Sequence, residues 1–455
     1  MRGLDRLFKP KSVVIVGASS KRGRVGYELL KNLVEHGYVG EIYGLNPRGG
    51  EAFNIRFYRD IDDLPDNIDL ALIAISSSSA IETLEKLAAK GLGSAVIYAS
   101  GFAEIGNKEL QNRLENLIKR YGVRIVGPNC AGIVNNIDSL YASFVPKVGD
   151  GSLAMASQSG AFSAIVTNYL ALKGMGLASL VTLGNKVDVD ETDFIMYFSR
   201  YDMVKSYMLY IEGLKSYMGR RLAQIVKEVG KPVVILKGGS TEGVEETLYS
   251  HTASLAGDFR VIKSILEAAG AYFVYDYIEL ADVSEATSYL DPPNGGKIAI
   301  VTNGGGPGVI AVDYIHKLGH KLSRTPSDIL EKLDHLKPYM ARANPIDLTA
   351  DGDEDMYYHT LKSLMDRNWP DIIYVIHVPP SFIDPYKVAK AVGDAYIDGG
   401  SSKPLIPLFM GVDISRISKT LHEYSLPAPT THRSASMVID YLIRLGMVKY
   451  RSISE

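Results

Sequence analysis

Short runs of β-branched and apolar residues alternate with longer amphipathic segments along almost the whole chain, from Ser12 to Tyr450. This alternation is typical of βα units on parallel sheets. At about 100 to 200 residues per domain, the 455 residues correspond to roughly three domains. The sequence therefore predicts an α/β fold with an N-terminal Rossmann-like domain over residues 1–126. Two flavodoxin-like domains with doubly wound parallel sheets follow over residues 127–290 and 295–455.

The clearest boundary is the linker Asp291–Gly296, whose prolines and glycines end the preceding helical pattern. The third block then opens with a strand, the small-residue turn Thr302–Gly308 and a helix. The same order surrounds Ala156–Gly160 in the second block. We therefore expect the second and third domains to be a structural repeat.

Composition excludes several classes of protein. The 49 basic and 52 acidic residues leave a formal net charge of -3, so no overall field attracts nucleic acid or an anionic membrane. The single cysteine excludes a disulfide framework and a cysteine-based zinc site. Neither a signal peptide nor an apolar run of the ~18 residues required for a membrane helix is present. We expect a cytoplasmic protein with no nucleic-acid or membrane partner.

A glycine-containing turn, Gly17–Gly26, connects the first predicted strand to a helix. Such turns let backbone amides and the positive end of the helix dipole approach a phosphate. Lys21, Arg22 and Arg24 add three cations, and Asn46-Pro47-Arg48 stands where an NAD enzyme would present an acid to the ribose. Coenzyme A or NADP therefore fits better than NAD. The alternative is a tight turn with solvated basic residues.

Two further segments could carry chemistry. Ser157-Gln158-Ser159-Gly160 lies between a strand and a helix, where free amides could hold a phosphate or carboxylate, although these residues are also ordinary helix caps. His251 lies in a long loop of small residues ahead of a helix, where a neutral imidazole could attack phosphorus. Glu212, at the end of a predicted strand, could hold the other ring nitrogen. A surface or core histidine is the alternative, and the histidines show no metal-ligand spacing.

These segments occur in a recognisable order: Gly17-Ala18-Ser19, Gly127–Gly132, Ser157–Phe162, Gly184-Asn185-Lys186 with Asp190, and Ser250–Gly257. In this order the chain resembles the NDP-forming acyl-CoA synthetases, and among them the α subunits of ADP-forming acetate–CoA ligases, relatives of the succinyl-CoA synthetase α subunit. The resemblance implies an acid–thiol ligase that interconverts acyl-CoA, ADP and phosphate with an acid, CoA and ATP. Acetate is the expected acid.

The resemblance also implies a role for individual residues. A phosphohistidine falls on His251 and its orienting carboxylate on Glu212. Phosphate and the acyl group fall on Asn129, Ser157, Gln158, Ser159 and Gly160. CoA falls on Gly17, Ala18, Ser19, Ser20, Lys21 and Arg22, on Asn46, Pro47 and Arg48, and on Ser76, Tyr98, Ala99 and Ser100. No metal site is expected in this chain, and Cys130 is expected to be a packed residue.

The resemblance further implies an ATP-grasp unit that binds ATP or ADP with Mg²⁺, and the three α/β blocks leave no segment for it. We therefore expect it on a β subunit, in an α2β2 heterotetramer. Two alternatives remain open: a CoA-sensing module without catalysis, and an NADP-dependent oxidoreductase. The residues do not determine the acid, the choice between ADP and GDP, the physiological direction, the exact assembly or the role of Asn344–Thr349.

Overall fold

The structure is a computed structural model that describes residues 3–214, 218–239, 259–365 and 368–454. Its first sheet has seven strands in the order β3-β4-β2-β1-β5-β6-β7. All of them are parallel except β3, which is antiparallel to β4. The strands are β1 (Ser12–Val16), β2 (Glu41–Leu45), β3 (Glu51–Ala52), β4 (Ile55–Tyr58), β5 (Leu70–Ile73), β6 (Ser94–Ile97) and β7 (Arg124–Val126).

Four helices belong to this part of the chain, and the predicted Rossmann-like arrangement is confirmed. They are α1 (Leu4–Phe8), α2 (Val25–Glu35), α3 (Ser77–Ala89) and α4 (Lys108–Tyr121). The chain passes from β1 to β2 on one side and later to β5 on the other, so the strand order reverses at β1. In open α/β sheets, ligands bind outside the carboxyl ends of the strands at such a reversal.

The second sheet has the order β14-β13-β12-β10-β11-β8-β9 and reverses at β10. Its strands are β8 (Gly132–Asn135), β9 (Leu140–Ser143), β10 (Asp150–Ser157), β11 (Leu177–Thr182), β12 (Ser206–Ile211), β13 (Val233–Lys237) and β14 (Tyr272–Val274). Its helices are α5 (Gly160–Leu172), α6 (Glu191–Phe198), α7 (Met218–Val229) and α8 (Phe259–Ala268). Five strands form the expected parallel core.

The antiparallel pair β8–β9 was not predicted. Its two strands have four residues each and lie within a loop-like stretch, which is too short for a periodic pattern to stand out. β8 pairs with β11 and so extends the sheet at one edge. The second sheet is therefore mixed rather than wholly parallel.

The third sheet is parallel and has the order β16-β15-β17-β18. Helix α9 (Tyr277–Tyr289) precedes it. The strands are β15 (Ile298–Thr302), β16 (Ile346–Asp347), β17 (Ile372–His377) and β18 (Leu405–Phe409), and the helices are α10 (Gly305–Lys317), α11 (Ser327–Leu330), α12 (Glu354–Met365), α13 (Pro385–Asp398), α14 (Ile414–His422) and α15 (His432–Ser454). In the described ranges, no helix is long and apolar enough to cross a membrane.

The loops that follow β10 and β15 share one hydrogen-bond pattern, while the expected repeat of the two domains stays a prediction. In each loop, the side-chain hydroxyl of the last strand residue accepts a hydrogen bond from the backbone amide two residues later. The backbone carbonyl of that same strand residue accepts from the amide of the first residue after the neighbouring strand. The pairs are Ser159 N to Ser157 Oγ at 3.1 Å and Gly304 N to Thr302 Oγ1 at 3.0 Å, then Leu183 N to Ser157 O and Leu348 N to Thr302 O, both at 2.7 Å.

The chain divides into two compact units, residues 1–168 with 175–274, and residues 169–174 with 275–455. The first two sheets share the first unit because apolar side chains form one core between them. Phe8 of α1 contacts Phe194, Tyr197 and Phe198 of α6 at ring distances of 6.2, 4.8 and 5.1 Å. Helix α9 belongs to the second unit, whereas the sequence predicted a domain limit after this helix, at residue 290. The predicted domain limits at residues 290 and 295 stay a prediction.

Candidate active site

The register of the first sheet aligns the ends of four parallel strands. Val16 pairs with Leu45 and with Ile73, and Ile73 pairs with Ile97. The loops that follow these residues therefore leave the sheet along one edge. The predicted CoA-binding residues, Gly17–Arg22, Asn46–Arg48, Ser76 and Tyr98–Ser100, all begin at this edge.

The turn after β1 is built by close backbone contacts. The amides of Gly17 and Ala18 both donate to the carbonyl of Leu45, at 3.0 and 3.2 Å, and Gly17 has a φ of +88°. A Cβ on Gly26 would lie 2.1 Å from the carbonyl oxygen of Gly17. Helix α2 begins after Arg24 with no side-chain cap. The amides of Tyr27 and Glu28 donate to the Arg24 carbonyl, so those of Val25 and Gly26 remain for a ligand or for water.

Ser19 is half-buried at this turn, and its hydroxyl accepts from the amide of Lys21 at 3.1 Å. Ser20, Lys21, Arg22 and Arg24 are exposed. The three cations form no ion pair with any residue that the structure describes. Glu28 accepts from the amide of Gly23 at 3.0 Å, which supports the turn from within α2. The loop therefore combines exposed positive charge with an uncapped helix start, as an anion site requires.

The other predicted CoA residues divide into exposed and structural positions. Asn46 donates to the carbonyl of Ala18 at 2.8 Å and accepts from the amide of Arg48 at 2.9 Å, so it ties two loops together. Pro47, Arg48, Ser76 and Ser100 are exposed, and Ala99 is half-buried. Tyr98 is buried, and its hydroxyl donates to the carbonyl of Ala142 at 2.8 Å. Its side chain therefore belongs to the interior.

The second sheet presents a similar edge. Ser157 pairs with Thr182 and Tyr210, and Ile211 pairs with Lys237. The loops after β10, β11, β12 and β13 therefore leave on the same side. The hydroxyl of Ser157 donates to the carbonyl of Ser159 at 2.8 Å, and the Ser159 hydroxyl accepts from the amide of Phe162 at 3.2 Å, which caps α5.

Gly160 is the first residue of α5 and packs against Ala131. A Cβ on Gly160 would lie 2.8 Å from the Cβ of Ala131. Ser159 and Gly160 are half-buried, whereas Ser157 is fully buried. The accessible part of the predicted phosphate segment is therefore Ser159 and Gly160 at the helix start.

Gln158 does not face this opening. It is 6% exposed, and its side-chain amide makes four hydrogen bonds within the protein. Nε2 donates to Glu191 Oε1 at 2.6 Å and to the Gly213 carbonyl at 2.7 Å, while Oε1 accepts from the amides of Glu212 and Gly213 at 2.9 and 3.0 Å. Its side chain therefore has no hydrogen-bonding capacity left for a phosphate.

Glu212 follows β12 at this edge and is half-buried. Tyr210 forms a hydrogen bond with the Glu212 side chain, and the pKa of Tyr210 is raised by burial and by this carboxylate. The ring of Tyr210 stacks on Phe162 with centroids 4.1 Å apart. His251 lies outside the described residues. The segment that contains it is preceded by Gly239, two residues beyond β13, and followed by α8.

Sequence reasoning missed three buried lysine and glutamate side chains around Glu212. Lys186 and Glu191 form an ion pair at 2.9 Å and are 5% and 1% exposed. Lys237 is also buried, and its amino group donates to the carbonyl of Glu212 at 2.8 Å. Burial lowers the pKa of Lys237, and the negative charge of Glu212 opposes this shift. The motif Gly184-Asn185-Lys186 marked one of these positions, but only the fold reveals burial.

Asn129 connects the two edges. Its backbone has a φ of +58°, its amide donates to the carbonyl of Ala99 at 2.9 Å, and its side chain is exposed beside Asn185. The predicted packed role of Cys130 is confirmed, because the thiol is buried, donates to the carbonyl of Ile97 at 3.3 Å and has its pKa raised by burial to about 12. Among the described residues, no group of three His, Cys, Asp or Glu side chains could hold a metal ion.

Comparisons with known proteins agree with this arrangement. Family models match residues 11–136 as a CoA binding domain and residues 150–287 as a succinyl-CoA ligase like flavodoxin domain. The α subunit of acetate–CoA ligase [ADP-forming] I from Pyrococcus furiosus is 34% identical over 93% of this chain and 94% of its own length. The acetate–CoA ligase [ADP-forming] of Methanocaldococcus jannaschii is 34% identical over 98% of this chain and 64% of its own length.

A solved structure is also similar along the entire chain. The dinucleotide-forming acetyl-coenzyme A synthetase 1 of Candidatus Korarchaeum cryptofilum, in complex with phosphate and ADP, has a TM-score of 0.92 and 30% identity. The match covers 100% of this chain and 99% of that one. The resemblance inferred from the motifs is thus confirmed, and the chain belongs to the family of α subunits of ADP-forming acetate–CoA ligases.

Proposed function

We propose that this chain is the CoA-binding and phosphoryl-relay subunit of an NDP-forming acyl-CoA synthetase, with His251 as the phosphorylated residue and acetate as the expected acid. One observation carries the proposal. The loops after β10 and β12 place Ser159, Gly160 and Glu212 at one edge of the second sheet, and β13, which precedes His251 in the sequence, ends at that same edge. A phosphate held at the α5 start would therefore lie at the edge that carries Glu212, and we assign the nucleophile to His251, which follows β13 in the sequence.

In the proposed reaction, an oxygen of inorganic phosphate attacks the thioester carbonyl of acyl-CoA, and the C–S bond breaks to release the CoA thiolate. The resulting acyl phosphate is then attacked at phosphorus by a ring nitrogen of His251. The bond between phosphorus and the acyl oxygen breaks, and the carboxylate leaves. The phosphoryl group finally passes from His251 to ADP. Glu212 would accept the hydrogen bond of the other ring nitrogen and stabilise the imidazolium form.

CoA would bind at the edge of the first sheet. The uncapped start of α2 and the exposed Lys21 and Arg22 suit its phosphates, and the exposed Arg48 and Ser76 extend the same edge for its adenosine and pantetheine ends. Asn46 and Tyr98 would support the site through packing rather than through side-chain contact with CoA, because both side chains are already bonded within the protein.

Nucleotide and Mg²⁺ would bind to a β subunit with an ATP-grasp domain, in an α2β2 heterotetramer. The P. furiosus relative, which this chain matches over 94% of its length, is named an α subunit. That name supports a second polypeptide that completes the enzyme. A relay between subunits also requires an interface that excludes water from the phosphohistidine.

The relay is tested by mixing the chain with a co-purifying ATP-grasp subunit, radiolabelled ATP and Mg²⁺. We expect an acid-labile and base-stable label on His251, as phosphoramidates give, and no label on His251→Ala. CoA affinity of His251→Ala should equal that of the wild type, which serves as the folding control. Full turnover by His251→Ala, or label on a serine, would contradict the relay.

The same experiment without the second subunit tests the place of the nucleotide site. We expect no labelling of the isolated chain. Labelling that survives removal of contaminants would place nucleotide binding within this chain. CoA binding without turnover in the presence of the partner would instead favour a CoA-sensing role.

A further inference from the structure

The Glu212–Gly213 dipeptide follows the end of β12, and buried side chains bond to its backbone. Each of its four backbone polar atoms accepts or donates a hydrogen bond with a buried side chain. Gln158 Oε1 accepts from both amides, at 2.9 and 3.0 Å, and Lys237 donates to the Glu212 carbonyl at 2.8 Å. The Gly213 carbonyl accepts from Gln158 at 2.7 Å and from Lys186 at 2.8 Å.

Glu191 fixes the two side chains that reach the Gly213 carbonyl. Its Oε1 accepts from Gln158 at 2.6 Å and from Lys186 at 2.9 Å, and its Oε2 accepts from Lys186 at 3.1 Å. The orientation of the Gln158 amide is thereby determined, because the opposite orientation would face its oxygen towards a carboxylate and a carbonyl. Gln158, Lys186 and Glu191 come from three different loops or helices, and all are at most 6% exposed.

We infer that Gln158, Lys186 and Glu191 form a positioning unit that fixes Glu212 for the phosphoryl relay. The inference rests on the proposed function, since it gives Glu212 its task. A carboxylate that must orient one imidazole nitrogen loses its effect when its backbone shifts by even about 1 Å. Glu212 and Gly213 lie beyond Ile211, the last residue of β12 that pairs in the sheet, so the ladder itself does not fix them. Gln158 and Lys186 supply the rigidity, because both are buried and both are bonded to Glu191.

This inference replaces the predicted phosphate contact of Gln158. Both amide protons and both lone pairs of its side chain are in use, so a phosphate would have to displace Glu191 or the Glu212 backbone. Gln158 therefore acts on the reaction only through Glu212. The hydrogen bonds to substrate phosphate at this turn would come from backbone amides and from Ser159.

A double-mutant cycle in the complete enzyme tests the inference. The variants are Gln158→Leu, Glu212→Ala and the combination, and the readouts are kcat, KM for CoA and the rate of His251 labelling. We expect Gln158→Leu to lower kcat and the labelling rate by about 10- to 100-fold, with KM for CoA within about twofold of wild type. In the Glu212→Ala background, the same change should alter kcat less than about threefold, because no carboxylate remains to be positioned.

Asn135→Leu is the matched control, because Asn135 is also a fully buried amide in this sheet. Its side chain donates to the carbonyl of Phe8 at 2.8 Å, and Asn135 pairs with Ser179, away from the end of β11 that carries the active-site loop. Asn135→Leu should lower the melting temperature and leave kcat within about twofold. If the Gln158→Leu variant does not fold, the Glu191→Gln variant replaces it in the cycle. Glutamine keeps the shape of the Glu191 side chain and removes its negative charge.

The outcomes separate the two claims. A wild-type kcat for Glu212→Ala would overturn the proposed role of Glu212 and the positioning unit with it. A reduced kcat for Glu212→Ala, combined with an equal effect of Gln158→Leu in both backgrounds, would overturn the positioning unit alone. An unchanged kcat for Gln158→Leu or for Glu191→Gln would do the same.

Discussion

Single charged residues at the edge of the first sheet determine how strongly an anion can bind there. Lys21 and Arg22 are exposed and lie in the turn that precedes the uncapped start of α2. Exposed cations in such a turn have their full charge free for a ligand. Their contribution can therefore be measured without disturbing an ion pair of the folded chain.

Replacing both Lys21 and Arg22 by Ala should weaken CoA binding at least about tenfold. Charge-assisted hydrogen bonds contribute about 1.5 to 3 kcal/mol each, and about 1.4 kcal/mol corresponds to tenfold in affinity. Titration calorimetry with CoA measures the change. Lys11→Ala is the control, because Lys11 is exposed at the opposite end of β1 and should leave affinity unchanged. Equal CoA affinity of the double variant and the wild type would remove this turn from the CoA site.

A buried histidine makes the second unit sensitive to acid. His377 is fully buried between Tyr357 and Phe409, and neither ring nitrogen has a hydrogen-bond partner among the described residues. Burial lowers the pKa of His377 from 6.5 to about 4. The unfolded chain therefore takes up a proton at a higher pH than the folded chain does.

The free energy of unfolding should accordingly fall as the pH decreases from about 6.5 to about 4, by up to about 3 kcal/mol from this residue. Above pH 6.5, His377 is neutral in both states and contributes no pH dependence. Denaturant unfolding at a series of pH values measures this dependence. Between about pH 6.5 and 4, the free energy of unfolding of His377→Leu should change less with pH than that of the wild type. The exposed His316 provides the control replacement, and an unchanged profile for His377→Leu would contradict the assignment.

At the scale of elements, the start of α2 depends on contact between two glycines. The helix approaches the turn after β1 so closely that a Cβ on Gly26 would lie 2.1 Å from the backbone of Gly17. A backbone atom cannot move aside as the end of a flexible side chain could. The geometry of the turn and the packing of α2 on β1 are therefore one structural feature.

Gly26→Ala should destabilise the first unit by about 1 to 3 kcal/mol through overpacking, and it should also weaken CoA binding because the turn must shift. Thermal unfolding and calorimetry measure the two effects. Gly149→Ala is the matched control, since a Cβ there would meet nothing within 4 Å. We expect that control to change stability by less than about 0.5 kcal/mol. A stable Gly26→Ala with normal CoA affinity would contradict this account.

At the scale of the whole molecule, the second compact unit contains a cluster of buried charges. Lys173 follows α5 and contacts Asp282 at 2.7 Å and Glu285 at 2.5 Å, and all three side chains are fully buried. Burial alone would lower the pKa of Lys173, but the two carboxylates outweigh it and the pKa is raised. His422 bonds to the other oxygen of Glu285 at 2.7 Å.

Lys173→Met should lower the free energy of unfolding of the second unit by about 3 to 5 kcal/mol, because it leaves two buried carboxylates without their cation. Denaturant unfolding followed by a spectroscopic probe of that unit measures the loss. Lys387→Met is the control, because the pair Lys387–Glu354 is exposed at 3.9 Å and should contribute less than about 0.5 kcal/mol. Equal stability of both variants would show that the buried cluster is not stabilising.

The sequence by itself determined the features that depend on local pattern. Short apolar runs between amphipathic segments predicted the parallel sheets, since a strand of a parallel sheet is a continuous apolar run. The turns Gly17–Gly26 and Ser157–Gly160 were recognisable because glycine and serine are typical of the turn between a strand and a helix. The motif order also sufficed to identify the family.

Only the tertiary structure decided how side chains are used. Gln158 has the composition of a ligand-binding residue, yet the fold directs its amide to Glu191 and to the backbone of Glu212 and Gly213. Tyr98 is likewise turned into the interior, where its hydroxyl is bonded to Ala142. Lys186, Glu191 and Lys173 look like surface residues in the sequence. Their burial depends on partners between 5 and 112 positions away in the chain, and a linear pattern carries no information about such pairs.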